Sequence, residues 1–335
     1  MPHSQPRMTL NRFLVERQRQ HPGASGRFTR FMGQIGTVAK IISNYMRRAA
    51  IEGLIGQTGE DNVQGERVKI LDDLGNRVFV EAFEYVDMVG TVVSEEMESA
   101  RTFADTSNIQ ETGYAVMVDP VDGSSNIDIN GIIGSIFSVH DIIGSVEESC
   151  QQKGSEQIAA GYMIYGPSTI LVYTAGAGVH SFVLDHTIGE FVLMHTDITM
   201  PVRGSIFSAN LGNYNNWYAD AQTYTNYFMA VDKADQRPYS LRYSGALLAD
   251  LHQILHRGGV YYYPAETNRP EGKLRLLYEC APLAMIAEQA GGAASDGKRH
   301  IMNIEPQDIH QRSPLFIGSK HEVALFEQYA AEAVS

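Results

Sequence analysis

The chain has 335 residues, of which 44% are hydrophobic and 19% charged, a globular composition with enough apolar material for a substantial core. Its 39 acidic and 26 basic residues give a net charge of −13, which argues against nucleic acid as a partner because phosphate backbones need a basic surface. Two cysteines, and no apolar run long enough for a signal peptide or a membrane span, predict a cytoplasmic protein with reduced thiols and no membrane contact.

The first part of the chain changes from helical spacing to the period of strands. Thr9 can cap a short helix, and apolar residues three and four apart over 28–46 predict one long amphipathic helix. Residues 52–65 are rich in Gly, Asn, Gln and acids and predict a mobile loop, followed by a helix over about 66–86. Strands of a mostly antiparallel sheet are predicted at 89–93, 114–118, 132–139, 158–164, 169–174, 179–184 and 191–194.

The last third of the chain alternates short strands with helices. Strands are predicted at 206–209, 260–263 and 316–318, and helices at 217–231, 245–256, 274–290 and from Lys320 onward. This mixture predicts an α/β fold of layered helices and sheets, with a division of the chain near residue 197.

The strongest chemical signal is the string D-P-V-D-G-S-S at 119–125, which follows an apolar strand. Asp119 and Asp122 can direct two carboxylates at one point, and Mg²⁺ prefers carboxylate oxygens with substrate phosphate completing its shell. The following Gly123, Ser124 and Ser125 let backbone N–H groups approach an anion closely. A simple Asx-type turn would explain Asp122 and Gly123 alone, but the whole string after a strand favours a metal-assisted phosphatase.

Other carboxylates become candidates in the company of this string. Glu95 and Glu96 follow the strand over 89–93, and a site for two or three metal ions about 3.5–4 Å apart needs several carboxylates. Glu279 lies in the otherwise apolar string K-L-R-L-L-Y-E-C at 273–280, where a buried carboxylate needs a metal ion or a cation. A salt bridge to Arg275 explains Glu279 equally well. Asp72 is the first candidate to orient or deprotonate a metal-bound water.

Basic and aromatic residues later in the chain suit a sugar phosphate. Tyrosine hydroxyls with Arg and Lys can hold such a group through charge-assisted hydrogen bonds, and the candidates are Arg242, Tyr243, Tyr261, Tyr263, Lys273 and Arg275. A buried aromatic face is the alternative, and we prefer it for Tyr262. The sequence contains no H-E-x-x-H, G-x-S-x-G, P-loop or dinucleotide fingerprint, which disfavours mechanisms based on histidine or serine.

The chain resembles the class I fructose-1,6-bisphosphatases over nearly its whole length. The most specific strings are S-E-E at 94–96, D-P-V-D-G-S-S-N-I-D at 119–128, K-L-R-L-L-Y-E-C at 273–280 and D-I-H-Q-R at 308–312. The inositol monophosphatases share a D-P-x-D-G core, but they end in a W-D-x-A-A-G-type string that this chain lacks. The resemblance implies a mixed α/β, layered α-β-α-β-α sugar phosphatase fold, with a largely antiparallel sheet in an N-terminal domain (1–196) and a smaller mixed sheet in a C-terminal domain (197–335).

The resemblance further implies Mg²⁺-dependent hydrolysis of fructose 1,6-bisphosphate to fructose 6-phosphate, with Mn²⁺ as an alternative ion. The residues that it implies for the metal are Glu95, Asp119, Val121 through its carbonyl, Asp122 and Glu279. Those implied for activating the water or supporting it are Asp72, Glu96 and Glu66. Those implied for the 1-phosphate are Asp122, Gly123, Ser124 and Ser125. Those implied for the sugar and the 6-phosphate are Asn210, Tyr243, Tyr263, Lys273 and, from a neighbouring subunit of a homotetramer, Arg242.

Two other functions remain open at this point. One is a bifunctional enzyme that also accepts sedoheptulose 1,7-bisphosphate, since one added carbon lengthens the substrate without changing its two phosphates. The other is a non-catalytic sugar-phosphate sensor, against which the full set of acidic residues argues because a pure binder would not need them.

The resemblance also raises the question of inhibition by AMP. The string S-G-R-F-T at 25–29 resembles the helix start that binds the AMP phosphate in this family, but Gly113 and Asp141 stand where a Lys and an Arg are typical. Losing a cation and gaining an acid weakens the binding of an anion by charge alone. We therefore expect weak or absent inhibition by AMP.

Overall fold

The computed structural model arranges helices and two sheets in five alternating layers, α-β-α-β-α, as predicted. It describes residues 7–61, 67–84, 86–103 and 113–332, without the side chains of 57–61, 67 and 68. The helices are α1 (Leu10–Gln18), α2 (Arg27–Glu52), α3 (Ile70–Glu84), α4 (Val146–Cys150), α5 (Ala219–Met229), α6 (Leu247–Arg257), α7 (Ala281–Gln289) and α8 (Lys320–Glu332). Among the described residues, no helix is long and apolar enough to cross a membrane.

The larger sheet comes from the first part of the chain. A small pair, β1 (Gln57–Asp61) and β2 (Arg67–Lys69), precedes it. Its strands are β3 (Val89–Ser94), β4 (Arg101–Thr102), β5 (Tyr114–Asp122), β6 (Ile133–Asp141), β7 (Ala159–Tyr165), β8 (Thr169–Thr174), β9 (Val179–Asp185) and β10 (Glu190–His195). They lie in the order β10-β9-β8-β7-β6-β5-β3-β4. Among the described strands of this larger sheet, only β3 and β5 pair in parallel. The predicted mostly antiparallel character of the sheet is confirmed.

The first layer of helices covers one face of this sheet. Thr9 caps α1 by accepting a hydrogen bond from the backbone N–H of Arg12, as predicted. The apolar stripe of α2 buries Phe31, whose ring stacks on Phe83 of α3 at 5.8 Å and meets Phe137 of β6 edge-on at 6.3 Å. Burying each such ring contributes about 1.5–3 kcal/mol to the stability of the fold. This helical layer therefore stabilises the larger sheet by packing on one of its faces.

The second sheet is smaller and mixed. Its strands are β11 (Ile206–Ser208), β12 (Ser240–Leu241), β13 (Val260–Tyr263), β15 (Ala293–Ser295) and β17 (Leu315–Gly318), in the order β12-β11-β13-β17-β15. The β11–β12 and β11–β13 pairings are parallel, and the other two are antiparallel. A separate short pair joins β14 (Leu274–Arg275) to β16 (Arg312–Ser313).

Two helices fill the space between the sheets. The apolar faces of α6 and α7 pack on Tyr162 of β7 from one side and on Ile317 of β17 from the other. On the far side of the second sheet, α5 and α8 cover Tyr262 and Phe316, whose rings stack at 5.7 Å. Tyr262 is 0% exposed and its hydroxyl lies 2.9 Å from the Thr225 hydroxyl, so its interpretation as a buried aromatic is confirmed.

Three predicted elements differ from the structure. Part of the predicted loop over 52–65 is strand β1, because polar strands form when a partner pairs with them, which local composition does not reveal. The helix predicted from about residue 66 begins at Ile70, and residues 67–69 belong to β2. The helix predicted over 274–290 is three elements: β14, a π-helical turn at Leu276–Cys280, and α7.

The division of the predicted 274–290 helix has a physical cause. Leu274 and Arg275 pair with a second strand, which requires extended backbone. Pro282 lies in the first turn of α7, where its missing N–H costs nothing. A π-helical turn is uncommon and is found mainly at functional sites. The two cysteines, Cys150 and Cys280, are free and buried, as expected for reduced thiols.

Candidate active site

A bulge in β5 brings two aspartates to the same side of the larger sheet. In a regular strand, residues three apart such as Asp119 and Asp122 would point to opposite faces. The register with β6 pairs Asp119 with Ile136 and Asp122 with Gly134. Three steps on β5 therefore match two steps on β6, and the extra residue corrects the direction of the second carboxylate. Pro120, which has no N–H to donate, lies in this irregular segment.

Glu279 completes a cluster of three buried carboxylates. One oxygen each of Asp119, Asp122 and Glu279 lies within 4.8 Å of the others. Backbone donors orient the side chains: Val121 N–H donates to Asp119 at 3.1 Å, Leu248 N–H to Asp122 at 2.9 Å, and Arg275 N–H to Glu279 at 2.6 Å. The π-helical turn holds Glu279 four residues after its donor. Donors on β5, on α6 and on β14 therefore each orient one carboxylate.

Burial raises the pKa of every member of this cluster. Burial, with the charge of Glu95 next, raises the pKa of Asp119 well above its usual value. Burial raises the pKa of Asp122 to about 6, although the Leu248 N–H lowers it. Burial, with Glu95 next, raises the pKa of Glu279 to about 8. Carboxylates held this close need a cation to ionise together at neutral pH, so this donor set fits a divalent metal ion.

The arrangement bears on the two interpretations that the sequence left open for Glu279. Its contact with Arg275 is a hydrogen bond from the backbone N–H, and no ion pair between these two side chains is found among the described residues. The Arg275 charge still lowers the pKa of Glu279 against the effect of burial, so both interpretations of Glu279, as a metal ligand and as a partner of Arg275, stay predictions.

Four further acidic residues were predicted for the site, and the structure describes three of them. Glu95 lines the cavity. Burial is the main cause of the raised pKa of Asp119, and the charges of Glu95 and Glu96 raise it further. Both glutamates therefore lie near that carboxylate. Asp72 is 5% exposed in the first turn of α3. Glu66 lies outside the described residues.

Helix α3 places Asp72 close to the bulge. A Cβ atom on Gly75, three residues further along this helix, would lie 2.7 Å from Cγ2 of Val121. The helix backbone therefore packs directly against the 120–121 segment. Asp72 accepts a hydrogen bond from the Lys69 N–H at 3.0 Å, which holds its carboxylate at the start of the helix.

The turn after Asp122 has the shape of an anion site. Gly123 has φ +78° and precedes a short 3₁₀ helix at Ser124–Ile129. Gly123, Ser124 and Ser125 all line the cavity next to the carboxylates. Backbone N–H groups at a helix start attract anions, so a phosphate oxygen can be held beside the three acids. Val121 also lines this cavity.

Replacing Gly123 by alanine is expected to impair both stability and activity. The left-handed conformation alone costs a non-glycine residue about 1–2 kcal/mol, and the new Cβ would lie 2.8 Å from Cβ of Ala246. Gly176→Ala is the matched control, since Gly176 has φ +79° with nothing within 4 Å of a Cβ. Thermal unfolding should show a larger loss for Gly123→Ala, and only this variant should lose phosphate release. Equal losses in both variants would refute the close-packed turn.

Tyrosines and a lysine also line this cavity. They are Tyr243, Tyr261, Tyr263 and Lys273, and the Lys273 ammonium lies 5.6 Å from the centre of the Tyr263 ring. The predicted common face of Tyr261 and Tyr263 is confirmed. Cations and hydroxyls in one cavity suit an anionic ligand.

Two predicted substrate residues are not among those that line the cavity. Asn210 caps the 3₁₀ helix at Leu211–Asn216 by accepting from the Gly212 N–H at 3.2 Å. Arg242 is exposed next to β12, the edge strand of the second sheet. Arg275, a predicted candidate, is only 3% exposed and lines the cavity. The Leu248 N–H is a part of the site that sequence reasoning missed, and no local signal marks it because it lies 126 residues from Asp122.

A second cavity of about 310 Å³ lies between the first two helices and the larger sheet. Residues 24–29 line it, and so do Arg17, Tyr114 and His180. The predicted AMP string at 25–29 is therefore part of a cavity. Tyr114 pairs in the sheet with Asp141, and the Arg27 guanidinium lies 5.8 Å from the Tyr114 ring. Asp141 thus brings a negative charge close to this cavity.

The fold and the main cavity together define a class of enzyme. Convergent buried carboxylates, a glycine-led anion turn and a tyrosine–lysine wall, placed between two sheets of a five-layer fold, are the parts of a metal-assisted sugar phosphatase.

Comparisons with known proteins identify the family. The N-terminal domain model of fructose-1,6-bisphosphatase matches residues 8–196, and the C-terminal domain model matches residues 200–331. The class 1 fructose-1,6-bisphosphatase of Chloroherpeton thalassium is 44% identical over 96% of this chain and 93% of its own length. A class 1 enzyme of Salinibacter ruber is also 44% identical, over 96% of this chain and 91% of its own. The chain belongs to the class 1 fructose-1,6-bisphosphatase family.

Solved structures agree with this assignment. Leishmania major fructose-1,6-bisphosphatase in its holo form has a TM-score of 0.89 and 37% identity, and the match covers 98% of this chain and 100% of that chain. The T-state of the same enzyme gives a TM-score of 0.85 over 97% of this chain and 99% of that chain. The predicted layered α-β-α-β-α fold is thereby confirmed.

Proposed function

We propose that this chain is a hydrolase that uses Mg²⁺ to release the 1-phosphate of fructose 1,6-bisphosphate, giving fructose 6-phosphate. The observation that carries the proposal is one cavity of about 190 Å³ that combines two kinds of lining. Three buried carboxylates and the Gly123 turn contribute to it, and so do Tyr263, Lys273 and Arg275. A bisphosphorylated sugar needs both a metal-holding group for the reacting phosphate and cations with hydroxyls for the other.

The residues of the site would act by binding, orientation and proton transfer. Divalent ions, when bound, supply polarisation of the phosphoryl oxygens, a more acidic water and compensation of the leaving alkoxide. The residues that would hold them are Glu95, Asp119, Val121 through its carbonyl, Asp122 and Glu279. Mn²⁺ is the alternative ion, since it shares the preference for oxygen ligands.

Asp72 and its acidic neighbours would handle the proton of the attacking water. Asp72 is buried at the start of α3, which packs against the bulge, and this proximity to the 120–121 segment supports the proposed role. Glu96 and Glu66 would support this role from the loop side. The N–H groups of 123–125 would hold the phosphate oxygens in line with the water.

The direct test is a phosphate-release assay on fructose 1,6-bisphosphate with and without Mg²⁺. We expect turnover with the ion and almost none after chelation. Binding of the bisphosphate without release of phosphate would overturn the proposal in favour of a sugar-phosphate sensor. Comparing kcat/KM on sedoheptulose 1,7-bisphosphate decides whether the enzyme is also bifunctional.

Lys273→Met is expected to weaken the binding of the far phosphate. A hydrogen bond to a charged group contributes about 1.5–3 kcal/mol, so KM for fructose 1,6-bisphosphate should rise roughly 10- to 100-fold. KM for fructose 1-phosphate, which lacks the second phosphate, should change little. Lys298→Met removes an exposed lysine that does not line the cavity and is the control. An equal rise of KM on both substrates would contradict this assignment.

We further propose a homotetramer in which Arg242 of one subunit reaches the far phosphate of its neighbour. Leu241 and Tyr243, which flank Arg242, are 43% and 39% exposed in the single chain, and β12 is an edge strand that another chain can cover. Analytical ultracentrifugation tests the assembly.

Three further predictions belong to the same proposal. They are the division of the chain into domains 1–196 and 197–335, the role of Asn210 beside the sugar, and a cytoplasmic location.

AMP is expected to inhibit this enzyme weakly or not at all. Gly113 supplies no cation. Burial raises the pKa of the Tyr114 hydroxyl, the Arg27 guanidinium lowers it, and the Asp141 carboxylate raises it further. An acid that acts on Tyr114 also repels a phosphate in the neighbouring cavity. Steady-state assays should show little inhibition at micromolar AMP. Sensitivity should increase in the double variant Gly113→Lys with Asp141→Arg, and potent inhibition of the unaltered enzyme would refute the hypothesis.

A further inference from the structure

Three histidines form a cluster that is separate from both cavities. His195 is the last residue of edge strand β10, while His252 and His256 lie four residues apart on α6. The ring centroids of His252 and His256 are 4.8 Å apart, and those of His195 and His256 are 5.5 Å apart. None of the three lines the carboxylate cavity or the cavity at 24–29. The cluster therefore connects the edge of the larger sheet to a helix of the middle layer.

Hydroxyl groups orient two of the rings. Nδ1 of His252 lies 2.8 Å from the Tyr162 hydroxyl, and Nδ1 of His195 lies 3.0 Å from the Ser181 hydroxyl. When Nδ1 carries the proton and donates it to the hydroxyl oxygen, Nε2 presents a lone pair. A hydrogen bond of this kind on the second nitrogen is the usual support of a metal-binding histidine.

The spacing of the rings suits a shared ion. Zinc binds imidazole nitrogen at about 2.0–2.1 Å, so each ring centre lies about 3 Å from the ion and tetrahedral ligands have ring centres roughly 5 Å apart. The two measured separations lie on either side of that value. Histidines four residues apart on a helix also project from the same face, which is the usual placement for two ligands from one helix.

The rings have not converged fully in this conformation. Within the described part of the chain, only the carboxylate cluster brings three ligand atoms within 4.8 Å of one another. His195 and His256 are exposed, whereas His252 is partly buried. The exposed His256 ring can turn about its side-chain bonds, so the site would close by side-chain adjustment in which Nδ1 of His195 and Nδ1 of His252 keep their hydroxyl partners. Their exposure also gives an ion access from solvent and leaves room for a water as fourth ligand.

We propose that His195, His252 and His256 bind one divalent transition-metal ion of the kind that prefers imidazole, such as Zn²⁺, and thereby link β10 to α6. Imidazole ligands favour zinc and copper, whereas the carboxylate site favours Mg²⁺. The two sites therefore differ in ion preference, and the histidine site can be filled while the active site holds Mg²⁺.

The charge state of the rings agrees with this assignment. Burial, followed by the nearby His256 and His195, lowers the pKa of His252 to about 4. Burial, followed by His195, also lowers the pKa of His256. Both rings are thus neutral near pH 7, as a metal ligand must be.

The test uses the full chain without an affinity tag, saturated with Mg²⁺. The chain carries His3→Ala, so that the imidazole of His3 cannot bind the added copper ion. One equivalent of Cu²⁺ is added, and electron paramagnetic resonance detects nitrogen ligands. We expect nitrogen hyperfine structure in this protein and its loss after His256→Ala. His186→Ala, which removes an exposed histidine outside the cluster, is the matched control and should leave the spectrum unchanged.

Calorimetric titration with Zn²⁺ under the same conditions measures the affinity. Loss of a hydrogen-bond partner of a ligand already weakens metal binding by about 10- to 100-fold, so His195→Ala and His256→Ala should each weaken it by about 100-fold or more. Saturating Zn²⁺ should raise the melting temperature of the parent protein but not that of His256→Ala. Unchanged Zn²⁺ affinity in either variant, or the absence of a nitrogen signal from the parent protein, would overturn the proposal.

Discussion

Asp119→Asn should reduce phosphate release from fructose 1,6-bisphosphate by about a thousandfold or more, because metal ions contribute several kcal/mol to stabilising the transition state and each 1.36 kcal/mol is tenfold in rate. Asp119 is 2% exposed and one of its oxygens lies within 4.8 Å of oxygens of Asp122 and Glu279, and asparagine would keep its shape while removing its charge. Glu279→Gln should have a similar effect, since it removes another carboxylate of the cluster. The measurement is kcat/KM at saturating Mg²⁺.

The fold should survive these substitutions. The asparagine oxygen can still accept the hydrogen bond from the Val121 N–H, and removing one of several close negative charges relieves repulsion in the ion-free protein. Asp73→Asn alters an exposed aspartate next to Asp72 and serves as the control, with activity expected near that of the unaltered enzyme. Near-normal turnover of either Asp119→Asn or Glu279→Gln with Mg²⁺ would show that the metal site is assigned wrongly.

The ion-free protein should lose stability as the pH rises from 7 to 8.5. Burial, with Glu95 next, raises the pKa of Glu279 from its usual 4.5 to about 8, so the folded chain binds more protons than the unfolded chain between these values. The free energy of unfolding then falls with pH, by about 1.4 kcal/mol per pH unit for each proton of difference. Asp119, whose pKa is also raised by burial, contributes in the same direction.

Chemical denaturation at pH 7 and pH 8.5 with a chelator measures this effect. Histidines whose pKa is lowered by burial, such as His140 and His252, affect stability below their usual 6.5, so they add nothing in this range. Saturating Mg²⁺ should stabilise the protein more at pH 8.5 than at pH 7, because the ion no longer competes with protons. Glu279→Gln should flatten the pH dependence of the ion-free protein, and an unchanged slope in that variant would contradict the linkage.

The local pattern of apolar and polar residues predicted many of the helices and strands of this protein. The three-and-four spacing over 28–46 depends only on which residues of a helix share a face, and α2 confirmed it. The strand runs between 114 and 194 were found to within a few residues because β-branched and aromatic residues fit a pleated surface. The string at 119–125 combines acids, a glycine and hydroxyls within seven residues. The kind of chemistry at the site could therefore be predicted without knowing its geometry.

Tertiary structure decided how distant segments meet. The bulge that aligns Asp119 with Asp122 depends on the register with β6, which the sequence of β5 does not contain. The donor that holds Asp122 is the N–H of Leu248, 126 residues away. Glu279 has two interpretations in the sequence, and only the tertiary structure shows that one of its oxygens lies within 4.8 Å of an oxygen of each aspartate.

The same contrast holds for the histidine cluster, in which His195 and His256 belong to different elements and no sequence spacing connects them. Residue type and local period thus determined the secondary structure and the kind of chemistry, since both depend on neighbours along the chain. Only packing decided which of the acids and histidines converge, because convergence depends on strand register and on helices docked from remote parts of the chain.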